Sequence, residues 1–117
     1  MIATEHKNDQ LFIRFTSDLI TACDDVAIKF ALQQALSTGT RNFVMSVLVG
    51  SLANQRYIAK LLRQCKEIVH SEGGNLLFVE QGDETDSMYR SICQSLEIPM
   101  FDSEEKIEIG VPLHAVA

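Results

Sequence analysis

Five side chains with chemical potential fall in one short stretch, LVGSLANQRYIAKLL, from Leu48 to Leu62. Ser51 offers a hydroxyl, Asn54 and Gln55 offer amides, Arg56 a fixed cation and Tyr57 a phenol. A serine nucleophile needs a base and a sharp Gly-x-Ser-x-Gly turn, and Ser51 has neither a neighbouring His nor that turn. GSLANQ follows an apolar run and opens a helical pattern, which is where a phosphate loop would sit. It lacks both the Gly-x-Gly-x-x-Gly spacing and a Gly-Lys-Ser/Thr ending. The stretch therefore shows no catalytic set, and a contact surface made of Ser51, Asn54, Gln55, Arg56 and Tyr57 is one of the readings it leaves open.

Other chemistry is equally sparse. His6, His70 and His114 are far apart, and no Cys–His spacing matches a zinc site. No metal or cofactor is expected. Asp83, Glu84 and Asp86 form one acidic group, and Asp102, Glu104 and Glu105 form another. Each group opens a helical pattern, where negative charge offsets the helix dipole. The cysteines are Cys23, Cys65 and Cys93. Cys65 and Cys93 fall on apolar helix faces and read as reduced, buried thiols. Cys23 stands just before a helix, where a thiol pKa can fall, but no His lies near it in sequence.

These residues are carried by alternating strands and helices. LFIRFTSDLI, from Leu11, opens as a strand rich in β-branched and aromatic residues. In the next segment Ile28, Ala31, Leu32, Ala35 and Leu36 recur at helical spacing, with Asp24 or Asp25 as the cap and Gly39 as the stop. Residues 42–50 are nearly all apolar, the pattern of a strand buried on both faces by helices. A second helix is predicted over 54–70, with Ile58, Leu61, Leu62, Cys65, Ile68 and Val69 inward. Gly73 or Gly74 suits its left-handed end. A strand over 76–80 follows. A third helix carries Met88, Ile92, Leu96 and either Cys93 or Tyr89 inward. Pro99 then blocks continuation, IPMF adds a short edge strand, and DSEEKIEI a short helix capped by Asp102 or Ser103. This order implies an α/β fold with parallel strands joined by right-handed crossovers.

One domain fits 117 residues, since domains commonly run about 100–150 residues. The domain is expected to span 1–117, with its core at about 11–109 and a loose tail over 110–117. The apolar fraction of 46% and charged fraction of 22% are those of a globular chain. A net charge of −6 argues against nucleic acid and anionic membranes as partners. MIATEHKNDQ has no apolar run of the signal-peptide kind. The most apolar stretch, residues 43–53, is far short of the ~20 residues that span a bilayer. A cytoplasmic location and no membrane insertion are expected.

The order and spacing of these pieces resemble the STAS domain, the fold of bacterial anti-sigma-factor antagonists, from Leu11 to about Ile109. LFIRFTSDLITACDD is similar to that family's second strand, with Ser17, Asp18, Leu19 and Ile20 in the places of Gly-Glu-Leu-Asp. STGTRNFVMSV is similar to the lead into the central strand, IVHSEGGNLLFVE to the glycine turn and next strand, and SICQSLEIPMFDSEEKI to the closing portion. The resemblance implies a STAS-like sheet of four to five mostly parallel strands with about four helices. It also implies a non-enzymatic interaction module in bacterial signalling or transcription regulation. Its partner would be a kinase-like anti-sigma factor, a signalling complex or another STAS chain, and homodimerisation is compatible with it. In phosphorylated members the turn reads Asp-Ser-x-Gly. Counting from Arg41 puts Asn54 on the Asp, Gln55 on the Ser and Tyr57 on the Gly. Gln55 has no hydroxyl, so the usual phosphoacceptor is missing. Two other readings stay open: a STAS accessory subunit of a membrane transporter, and a small-molecule-binding α/β protein. The latter would use loop 50–55 and the turn at 81–83, at the strand C-terminal ends.

Overall fold

The computed structural model describes residues 2–15, 22–48, 55–81 and 88–109; within these, the side chains at 22, 23, 48, 55–58, 81, 88, 108 and 109 are left undescribed. The elements in chain order are β1 (Ile2–Lys7), β2 (Gln10–Phe15), α1 (Ala22–Ser37), β3 (Asn42–Leu48), α2 (Gln55–Ser71), β4 (Asn75–Gln81), α3 (Met88–Leu96), β5 (Met100–Phe101) and α4 (Glu105–Ile109). The fold is α/β. Its five strands lie in the order β1-β2-β3-β4-β5, with β1 antiparallel to β2 and the other pairs parallel.

The first strand is an element the sequence reading did not contain, since it placed its first strand from Leu11. Ile2–Lys7 pairs residue by residue with Gln10–Phe15. Five of its six residues are exposed, so it carries no apolar run to announce it. The signal that was available is Asn8-Asp9. Both residues have positive φ, 53° and 62°, as a two-residue type I′ hairpin turn requires. A correction concerns α1. Asp24 and Asp25 lie inside its first turn rather than capping it, because the helix already begins at Ala22. The predicted strand over 11–20 is seen as far as Phe15, and 16–21 lie outside the described residues.

Each crossover moves the chain one strand further in the same direction. Crossovers of constant handedness then put α1, α2 and α3 on one face of the sheet. The core confirms this. Leu11, Ile13 and Phe15 of β2, Phe43, Met45 and Val47 of β3, and Leu76 and Phe78 of β4 share one buried cluster with residues of all three helices. The alternate positions Phe12, Val44 and Val79 form a second cluster with Phe101, against Leu77 and Ile107 of α4. β3 is thus buried on both faces, as its unbroken apolar run predicts, with Val44 and Met45 both at 0% exposure. Among the described residues the cover on the second face is one short helix, where the sequence reading expected a sheet covered by helices.

An ion-pair clasp holds that helix. Arg14 donates from Nε to Glu104 Oε2 at 2.9 Å and from Nη2 to Glu104 Oε1 at 2.7 Å, and Nη2 also reaches Glu5 Oε1 at 3.0 Å. The guanidinium lies over the Phe12 ring, 5.1 Å from its centroid. A two-bond fork of this kind fixes geometry as well as energy. The Arg14 hydrogen bond, assisted by its charge, by Ser46 and by Lys7, holds the Glu104 carboxyl below its usual range against the opposing effect of burial. A lowered folded-state value stabilises the fold above the unfolded carboxyl's pKa, about 4.3. That stability is lost as pH falls through the folded value. Glu104→Gln should therefore cost about 1 kcal/mol at pH 7. The gap to wild type should close as pH drops below the unfolded value, read from urea midpoints across a pH series. A gap that persists in strong acid would mean the carboxylate charge is not what α4 needs.

Candidate functional site

The contact surface predicted from sequence begins in the connection from β3 to α2. Ser51 and Asn54 lie outside the described residues, as do the side chains of Gln55, Arg56 and Tyr57. Their backbone placement is defined for the last three. α2 starts at Gln55, so Gln55, Arg56 and Tyr57 form its first turn. The start agrees with the helix read over 54–70 to within one residue. β3 and β4 pair from Asn42↔Asn75 to Leu48↔Gln81. The connections that follow Leu48 and Gln81 therefore leave from neighbouring strand ends, the location where open α/β sheets expose their loops.

Beneath this edge sits a group that the sequence reading missed. Glu80, next to last in β4, is only 5% exposed. It shares the helix-facing side of β4 with Phe78, whose ring centroid is 5.5 Å from that of Tyr89 on α3. Burial, followed by the nearby Glu80 charge, pushes both the Tyr89 phenol and the Cys93 thiol up to about 12. Burial alone dominates for Cys65, also raised to about 12. Both thiols are free and buried, as read from the helical pattern. A thiol at that value is protonated at neutral pH and is a poor nucleophile. The missed carboxylate had one available signal: a Glu closing an apolar strand run, LLFVE, at an inward-facing position.

α1 adds a surface feature at the same end. All three long helices run opposite to the parallel strands, so α1 and α2 both start at the strands' C-terminal edge. Val26 and Phe30, one turn apart near the start of α1, are 69% and 62% exposed. Their neighbours Ile28 and Leu32 are fully buried. Two open grooves among the described residues lie elsewhere. One of about 480 Å³ separates the C-terminal ends of α1 and α2, lined by Gln33, Leu36, Ile68 and Glu72. The other, about 280 Å³, runs between β1 and α1.

The remaining sequence candidates are placed as follows. His6 and His70 are exposed, and no group of metal-ligating side chains forms among the described residues. Asp83, Glu84, Asp86, His114 and the tail over 110–117 lie outside them, as does the Cys23 side chain. Glu104, read as a helix-dipole residue, is instead the partner of Arg14 across the sheet. Asp102 bonds Lys106 at 2.7 Å within α4's approach. No described helix is long and apolar enough to cross a membrane. The chain matches no protein-family model and has no significant match among curated proteins.

Proposed function

We propose that this chain is a non-enzymatic protein–protein interaction module of STAS type, resembling an anti-sigma-factor antagonist, whose docking surface is the β3–α2 turn. The observation that carries the reading is the placement of Gln55. Gln55 opens α2 in the connection that follows β3, the central strand of a mostly parallel sheet, and counting along the sequence from Arg41 sets it against the serine of phosphorylated STAS domains. The surface is then constitutive, built from Ser51, Asn54, Gln55, Arg56 and Tyr57, with the neutral amides of Asn54 and Gln55 in place of a phosphate. Arg and Tyr are residue types that dominate interface energetics. Val26 and Phe30 extend the surface along α1, as an apolar patch at the same edge.

The partner class is a kinase-like anti-sigma factor or a related signalling protein. A test uses such a protein with ATP and reads intact mass and affinity together. Wild type should bind without gaining a phosphate, and Gln55→Ser should gain one. Gln55→Asp places a fixed charge on the same surface and should weaken binding about tenfold, ~1.4 kcal/mol. Phosphate on wild-type Gln55's immediate neighbours, or unchanged affinity in Gln55→Asp, would overturn the assignment of this turn. Loss of binding to every anti-sigma partner alongside capture by a transporter ATPase subunit would move the module to the accessory-subunit role.

A further inference from the structure

The charges of this chain are unevenly placed. α2 carries four of its ten lysines and arginines, Arg56, Lys60, Arg63 and Lys66, but only one of its sixteen acids, Glu67. No acid stands in the first turn of α2, although a carboxylate there would offset the helix dipole and a cation opposes it. The most positive helix thus belongs to a chain of net charge −6.

Most of the described cations are engaged within the chain. Arg14, Lys29 and Lys106 pair with carboxylates. Arg41 and Lys66 donate to the backbone carbonyls of Leu36 and Leu96. Lys60 and Arg63 are exposed and make no hydrogen bond or ion pair among the described residues. Glu67, one turn beyond Arg63, pairs with neither. Both cations stand on the side of α2 turned away from the sheet, because Leu61, Leu62 and Cys65 on its inner side are buried.

α1 adds an apolar row beside them. Val26 and Phe30 are the exposed large hydrophobics of the described residues, two positions either side of the fully buried Ile28 and so on the opposite face of α1. α1 is the neighbour of α2: its Lys29–Asp25 pair lies close enough to act on the Cys65 thiol of α2. Packed helix axes are about 8–10 Å apart, within the span of one partner helix. The outer surface of the two helices therefore offers an apolar row next to uncompensated positive charge.

The complement of that surface is a helix with apolar side chains along one strip and carboxylates along the next. Other polyanions fit it less well. Anionic lipid is recognised by clusters of about 4–8 basic residues. A phosphate backbone needs many cationic contacts and is repelled by a chain that is acidic elsewhere. Two free cations suit a short protein segment that brings a few carboxylates.

We infer that the outer faces of α1 and α2 form a docking surface for an acidic amphipathic segment of a partner protein, with Val26 and Phe30 taking its apolar side and Lys60 and Arg63 its carboxylates. The inference deepens the docking function proposed above, on which it rests for Val26 and Phe30 belonging to an interface. Titration of the isotope-labelled protein with a synthetic amphipathic helix of leucine and glutamate tests it, followed by amide NMR shifts. Shifts should centre on Val26, Phe30, Lys60 and Arg63, and affinity should fall as salt rises. Lys60→Gln combined with Arg63→Gln should weaken binding about tenfold, and Phe30→Ser should weaken it as well. These side chains are exposed, so each variant should keep the wild-type circular dichroism spectrum. Gln55→Asp should still bind the peptide where it loses the kinase-like protein, which separates a failure of the turn from a failure of this surface. Binding that is absent, that shifts other amides, that survives loss of both cations, or that a leucine–lysine helix matches overturns the proposal. So does tighter binding of phosphatidylserine vesicles or single-stranded DNA through the same two cations, which would assign the surface to lipid or nucleic acid.

Discussion

Phe78→Ala is expected to destabilise the protein by about 3–5 kcal/mol, the usual cost of emptying a fully buried phenylalanine site. Phe78 is at 0% exposure in β4, with Met45 beside it on β3 and Met100 on β5. Its ring is tilted against Tyr89 of α3, so removal takes away one contact between the sheet and that helix as well as the transfer energy. Small domains have about 5–15 kcal/mol in all, and the loss is a large share of that. Urea denaturation should show a much lower midpoint with an unchanged slope. A double-mutant cycle with Tyr89→Leu should return a coupling of about 0.5–1.5 kcal/mol for the ring pair. A midpoint within about 1 kcal/mol of wild type would mean that the site collapses around the truncation, or that this face of β4 is not central to the core.

Gly74→Ala is expected to cost about 2–3 kcal/mol, at the upper end for a single added methyl group in a packed site. A Cβ at Gly74 would lie 2.6 Å from the Arg41 carbonyl oxygen and 2.8 Å from Val69 Cγ1. Neither neighbour can yield cheaply. The Arg41 carbonyl accepts the Asn75 amide at 2.8 Å, which starts the β3–β4 ladder, and the Gly74 amide itself donates to Val69 O at 2.9 Å to close α2. Val69 is fully buried. The methyl group therefore pushes apart the end of α2 and the starts of two central strands. The midpoint of thermal unfolding should fall on the order of 10 °C. Gly73 offers the contrast. Its φ is 77° with open space around a Cβ, so it needs a left-handed residue rather than a small one. Gly73→Asn should be tolerated far better, because Asn adopts that region at modest cost. Equal losses at the two positions would show that backbone conformation, not close approach, governs this turn.

These two positions differ in how far the sequence reveals them. Phe78 is legible, because a short apolar run between a glycine turn and a polar segment reads as a buried strand. The glycine pair is half legible: a left-handed helix end is predicted at Gly73 or Gly74, but which one turns and which one lets Arg41 approach depends on a neighbour more than thirty residues away. The same division runs through the candidate site. The start of α2 at Gln55 follows from local pattern, since an apolar strand run gives way to amphipathic spacing there. Glu104 was visible only as a charge near a helix start. Its pairing with Arg14, ninety positions earlier, is a property of the sheet.

The sequence by itself determined the alternation of strands and helices, the inward positions of Leu61, Leu62, Cys65 and Val69 in α2, the burial of Cys93 in α3, and the absence of a hydroxyl at position 55; Ile58 and Met88, also read as inward, have side chains outside the described residues. Each of these is encoded in local periodicity or in the chemistry of one side chain. Tertiary structure decided the rest. Among the described residues, strand order placed α1, α2 and α3 on one face and α4 on the other, because hydrophobic alternation says that a strand is buried without saying by what. The exposed strand β1 gained its place from hydrogen bonding to β2 rather than from apolar burial, so its side chains gave no sign of it. Glu80 was brought within electrostatic range of Tyr89 and Cys93, and Arg14 against Glu104, only when distant segments were packed together, since such interactions depend on distances that no local pattern contains.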